Sequence, residues 1–145
     1  SPPPSPELSP RDGMMSVGLL LLTHETMGGA LVNAARHVLG RLPMALDVME
    51  IPASCSDPEN TARDASRRAQ ALDQGDGVLV LTDLYGATPC NVAHQLPQLG
   101  VHMHSVSGLN LPMLLRVLNY PEQSLDELTQ TAASGGRGGI LVDHA

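Results

Sequence analysis

The sequence predicts an α/β domain built on an open, mainly parallel sheet of four strands with helices on both faces. Short apolar runs without polar alternation, such as residues 17–22 and 77–82, suit strands buried on both sides of a parallel sheet. Between them lie segments of helical spacing bounded by Asp, Pro, Ser and Gly, and this alternation of strand and helix is the pattern of crossovers that cover both faces of a sheet. At 145 residues the chain is the size of one domain.

Residues 17–22, VGLLLL, form the first expected strand. A helix over 29–40 follows, in which Leu31, Ala34, Ala35, Val38 and Leu39 repeat at helical spacing and Gly40 supplies a stop. A second strand spans 45–51. Asp57 and Pro58 then provide an N-cap and a first helical residue for a helix reaching about residue 73. Ala62, Ala65, Ala69 and Leu72 mark its buried side, and Arg63, Asp64, Arg67 and Arg68 its solvated one. The third strand, 77–82, leads to a helix from Pro89 to about Leu96; the fourth, 102–106, leads to a short apolar helix over 112–118. Ser124 and Glu127 have the spacing of a capping box that starts a last helix. That helix is expected to dissolve in the glycine-rich run 135–139, after which Ile140, Leu141 and Val142 supply one terminal strand.

Composition narrows the function. A hydrophobic content of 42% with 16% charged residues is that of a folded globular chain. The net charge of −7, the absence of Lys and the lack of any basic stripe exclude a protein that tracks nucleic-acid phosphates. Phe and Trp are absent, so the core must be aliphatic, and Tyr85 and Tyr120 alone cannot form a base-stacking platform. Cys55 and Cys90 form no CxxC pair or disulfide framework, which fits a reducing compartment. No apolar run approaches the roughly 20 residues that cross a bilayer, and the opening lacks the basic-then-apolar order of a leader, so a cytoplasmic protein is expected. Residues 1–13, SPPPSPELSPRDG, should be an extended, poorly ordered tail, an added segment or a mis-assigned start; the domain is taken as 14–145.

In a parallel sheet, ligands gather at the carboxyl ends of the strands. Three unusual loops are expected there: 23–29, 83–89 and 107–110. His24 lies just past a buried strand, where it is either a strand-end cap or a reactive imidazole. Asp83, ending the third strand, is either a turn carboxylate or the group that fixes the His24 tautomer and leaves the other ring nitrogen nucleophilic. The hydroxyls of Thr23, Thr26 and Thr88 and two helix N-termini suit a phosphoryl dianion. The chain has no GxSxG, GxxxxGK[ST] or GxGxxG, which disfavours a serine hydrolase, a P-loop nucleotide site and a dinucleotide cofactor. His102 and His104 alternate on one strand without a Cys or acidic ligand nearby and read as structural, so neither a metal nor a cofactor is expected.

Three segments, LLLTHETMGGALVNAA, LVLTDLYGATPCNVA and VSGLNLPMLLRVL, resemble in order and spacing the mannose-type IIA domain of the bacterial phosphoenolpyruvate-dependent sugar phosphotransferase system. The likeness covers about residues 15–143. It implies that His24 accepts a phosphoryl group from the phosphohistidine of the carrier protein HPr and passes it to a Cys or His of a IIB partner, with membrane contact only through a permease. It also implies that Asp83 orients His24, that Thr88 contacts the phosphoryl group, and that backbone amides near Thr26 and over Gly86, Ala87 and Thr88 help hold it. The family's four-stranded sheet gains a fifth strand exchanged across a homodimer, which would be residues 140–142. Tyr85 stands where the family usually has Trp, and Ala87 where Gly is common. No IIB segment follows, so the acceptor is expected to be either a separate protein or lacking. A second reading is a regulatory binding module whose partner choice follows His24 phosphorylation without sugar transport. The related phosphotransferase subunit of dihydroxyacetone kinase matches the second and third segments less well.

Overall fold

The computed structural model describes residues 16–144, so the expectations for residues 1–13 lie outside the described part of the chain. Four strands, β1 (Gly18–His24), β2 (Leu46–Ile51), β3 (Val78–Thr82) and β4 (Met103–Ser107), form one sheet in the order β2-β1-β3-β4. Every pairing is parallel, with Leu20 opposite Asp47 on one side and Val80 on the other. Five helices connect and follow the strands: α1 (Met27–Leu39), α2 (Pro58–Leu72), α3 (Thr88–Gln95), α4 (Leu111–Leu118) and α5 (Leu125–Gly138).

The unbroken apolar runs are explained by two cores, one on each face of the sheet. Leu19, Leu21, Leu79 and Leu81 pack with Val32, Leu114, Val117 and Leu128 beneath α1, α4 and α5. Leu20, Leu22, Val78 and Val80 pack with Ala62, Ala65, Ala69, Val92 and Leu96 beneath α2 and α3. Successive strand residues point to opposite faces, so a strand covered on both sides has no polar position to offer. Full burial of each such Leu contributes about 1.5–3 kcal/mol.

Local signals set most helix boundaries. The Asp57 side chain accepts from the Asn60 amide with Pro58 behind it, and Asn110 accepts from the Met113 amide ahead of α4. The Ser124–Glu127 capping box is complete, with Ser124 N–H donating to Glu127 at 2.9 Å and Glu127 N–H donating to Ser124 Oγ at 3.2 Å. Gly40 ends α1 in the left-handed region at φ 81°.

Two expectations need correction. On α1, Ala35 is buried and Leu31 and Leu39 pack against the core as expected, but Gly28 and Val32 join the buried side and Val38 is exposed. The last helix does not dissolve at Gly135; α5 continues to Gly138. Its glycines serve close packing on α4, because a Cβ at Gly135 would lie 2.6 Å from Arg116 Cβ and one at Gly136 2.9 Å from Met113 Cε. That non-local contact offsets the roughly 1 kcal/mol that each helical glycine costs relative to Ala. Beyond α5, Ile140, Leu141 and Val142 are exposed and pair with no strand of their own chain.

Candidate functional site

The carboxyl ends of β1 and β3 are neighbours in the sheet, and this adjacency brings His24 and Asp83 together across 59 positions of sequence. Asp83 Oδ2 lies 2.8 Å from His24 Nδ1 and 3.1 Å from the His24 amide nitrogen, which donates to it. A carboxylate only accepts, so Nδ1 carries the proton and the neutral ring keeps its lone pair on Nε2. The His24 side chain is 42% exposed while that of Asp83 is 4% exposed. The pair thus presents one open imidazole nitrogen on a buried carboxylate support. Asp83 Oδ1 is buried and has no hydrogen-bond partner among the described residues.

Strand alternation decides what His24 faces. Leu22 belongs to the core beneath α2 and α3, so Thr23 points to the α1 side and His24 back to the α2–α3 side. The turn from Asp83 into α3 stands on that side, with Gly86 in the left-handed region at φ 84°, where a Cβ is strained. Thr88, exposed, is the first residue of α3, with Pro89 next. The Ala87 amide donates to the Leu84 carbonyl at 3.3 Å, and the Asn91 side chain donates to the Gly86 carbonyl at 3.3 Å, which fixes the turn. The first turn of α3 therefore stands on the same face as the imidazole, with its positive dipole end outward.

The second expected helix terminus is placed differently. Thr23 is fully buried; its Oγ1 accepts from the Gly28 amide at 2.9 Å and donates to the His24 carbonyl at 2.8 Å. The Glu50 carboxylate takes the Gly29 amide at 2.8 Å. Two first-turn amides of α1 are thus already satisfied, and Thr23 has no surface with which to touch a phosphoryl group. Thr26 precedes α1 as an exposed residue whose carbonyl accepts from Ala30. Glu50 was not among the sequence candidates, although its place opposite Thr23 in the β1–β2 register put it next to the Gly28–Gly29 pair. In the segments that follow β1 and β3, Met27, Leu84 and Tyr85 are exposed, the last at 76%. The Tyr85 ring meets His94 edge-on at 6.1 Å.

Residues 18–133 match the model of the family described as PTS system fructose IIA component, EIIA-man. The chain belongs to this family. Among its mannose-type IIA relatives, the chain is 27% identical over 128 residues to the PTS system mannose-specific EIIAB component of Escherichia coli (strain K12). That alignment takes in 87% of this chain and 39% of the relative, so the chain spans well under half the length of the curated relatives it matches. The solved mannose/sorbose specific IIA subunit of the phosphotransferase system from Enterococcus faecalis superposes with a TM-score of 0.78 at 25% identity, covering 90% of this chain and 97% of that one. The phosphotransferase system component EIIA from Streptococcus agalactiae gives 0.72 at 24% identity, over 87% and 96% of the two chains, and shares the fold. This IIA fold is the open four-stranded parallel sheet expected from the sequence. No helix among the described residues is long and apolar enough to cross a membrane.

Proposed function

We propose that this chain is a phosphoryl carrier, with His24 Nε2 as the atom that takes and returns the phosphoryl group. The observation that carries the reading is the 2.8 Å contact between Asp83 Oδ2 and His24 Nδ1, which assigns the proton of the neutral ring to Nδ1 and its lone pair to Nε2. The donor is the phosphohistidine of HPr. The Nε2 lone pair attacks phosphorus, the P–N bond to the donor imidazole breaks, and its electron pair returns to that ring. The second transfer reverses these roles, with the thiolate or imidazole of a separate IIB component as nucleophile.

Asp83 holds the tautomer and stabilises the ring as charge develops on it. The Thr88 hydroxyl and the amides of Gly86 and Thr88 are the donors proposed for the phosphoryl oxygens. Thr26 borders the same opening, and Ala87 contributes by shaping the turn, its own amide being turned toward Leu84. The exposed apolar side chains of Met27, Leu84 and Tyr85 suit a transient protein partner, because a phosphohistidine donor must bring its own surface to within bonding distance. The reaction proceeds in the cytoplasm, where HPr and the cytoplasmic side of a permease are found. No specific observation favours the purely regulatory alternative.

Residues 140–142 are proposed to add a fifth strand to the partner copy of a homodimer. Their exposed Ile, Leu and Val side chains directly follow α5, and β4 is an edge of the sheet. Pairing such a segment on that edge would bury both. A pulse–chase experiment tests the carrier reading: label the chain with phospho-HPr, remove the donor, and add a IIB component. Transfer of label to IIB is expected; label retained on His24 with every IIB offered would contradict onward transfer.

A further inference from the structure

We infer that Glu50 is a positioning residue for His24, acting through the start of α1. Only three residues, 25–27, separate His24 from Gly28, so the placement of the imidazole depends on how firmly that short turn is held at each end. At the strand end, the His24 amide donates to Asp83, the His24 carbonyl accepts from Thr23, and the Glu25 amide donates to the Ile51 carbonyl at 3.2 Å. At the helix end, two consecutive amides are anchored: Gly28 to Thr23 Oγ1 at 2.9 Å and Gly29 to Glu50 Oε2 at 2.8 Å.

The two glycines and their two acceptors are complementary in shape. A Cβ at Gly28 would lie 2.9 Å from Thr23 Oγ1 and 2.7 Å from a Val48 methyl, and one at Gly29 would lie 3.0 Å from Glu50 Oε2. The absence of a side chain at 28 is what lets the Thr23 hydroxyl reach the backbone, and its absence at 29 spares the Glu50 carboxylate a shift of a few tenths of an ångström. Thr23 is on the strand that carries His24, but Glu50 is on the neighbouring strand, opposite Thr23 in the register. Glu50 therefore supplies the side-chain hydrogen bond that ties the α1 terminus to β2. It also places a negative charge at the positive end of α1, where it favours the helix and fills a position that would otherwise attract an anion. The phosphoryl group is thereby directed to the α3 terminus, on the opposite face of β1.

A chain that loses the Glu50 anchor keeps its catalytic atoms but not their placement, and displacements of about 1 Å can lower a rate by as much as about 100-fold. The inference rests on the phosphoryl-carrier reading for its kinetic part only. The test compares Glu50→Gln, Glu50→Ala and Gly29→Ala in the full chain by two measurements. The first is the long-range ¹⁵N–¹H spectrum of His24, which reports the proton on Nδ1 without any phosphorylation. The second is the rate of labelling by phospho-HPr over a range of donor concentrations.

Glu50→Gln retains an oxygen that accepts from Gly29, and is expected to keep the Nδ1–H tautomer and a kcat within about threefold of wild type. Glu50→Ala is expected to broaden or mix the tautomer signal and to lower kcat about tenfold or more with KM little changed, as loss of positioning without loss of donor contact requires. Gly29→Ala crowds the same contact from the other partner and should move the tautomer signal and kcat in the same direction by a smaller amount, which keeps the inference testable should Glu50→Ala fold poorly. An unperturbed His24 spectrum and wild-type kcat in both Ala variants would overturn it, as would an effect confined to KM. Absence of labelling in the wild type would refute the carrier reading, while the tautomer comparison would still decide the role of Glu50.

Discussion

Asp83 holds His24 through a single oxygen, which lies 2.8 Å from Nδ1 of the ring and 3.1 Å from the amide of the same residue. One carboxylate thus fixes both the backbone position and the protonation pattern of the imidazole. Asp83→Asn preserves size at this buried position but lets the side chain offer either an amide donor or a carbonyl acceptor to Nδ1. The phosphorylation rate of the variant should fall by on the order of 10²- to 10⁴-fold while its unfolding midpoint stays close to wild type. A wild-type rate would remove Asp83 from the mechanism.

Thr88 opens α3 on the face toward which His24 points. Replacing its hydroxyl in Thr88→Val deletes one proposed donor to the phosphoryl oxygens and leaves the helix start with Pro89 intact. A loss of on the order of 10- to 100-fold in kcat is expected from single-turnover labelling, whereas Thr88→Ser should retain most of the rate. Equal rates in all three proteins would assign Thr88 to helix shape alone.

The glycines of α5 make a stability prediction independent of the chemistry. A methyl group at Gly135 would sit 2.6 Å from Arg116 Cβ, so Gly135→Ala has to separate α5 from α4 despite its better helix propensity. Urea unfolding should show a loss of about 1–3 kcal/mol. A gain in stability would mean that the two helices tolerate separation.

These examples show where the sequence was informative and where it was not. β1 and β3 were legible because burial on both faces leaves a continuous apolar run, which the edge strands β2 and β4, carrying Asp47 and His104, do not have, and the His24–Asp83 pair because parallel topology gathers strand ends. The burial of Thr23 was legible in principle: Leu22 and His24 share one parity and Leu21 and Thr23 the other, which separates Thr23 from the imidazole's face. The continuation of α5 through its glycines was not, since a glycine that ends a helix and one that admits a neighbouring helix look alike until the neighbour is known. Glu50 was hidden for the same reason, its meaning lying in a contact with Gly29, 21 positions away.

Ile140 and Leu141 are exposed beyond the end of α5. If residues 140–142 complete the sheet of a partner copy, Ile140→Asp with Leu141→Asp should shift the protein from dimer to monomer in sedimentation equilibrium, because charged side chains block burial of the exchanged strand. An unchanged dimer would place the interface elsewhere, and a monomeric wild type would contradict the exchange.

The central claim is that His24 carries the phosphoryl group. Its most direct test is incubation of wild type and His24→Ala with phosphoenolpyruvate, enzyme I and HPr, followed by assay for an acid-labile, base-stable phosphoryl group on the chain. Label on wild type and none on His24→Ala is the predicted result. Equal label on both proteins, or none on wild type with a cognate HPr, would contradict it.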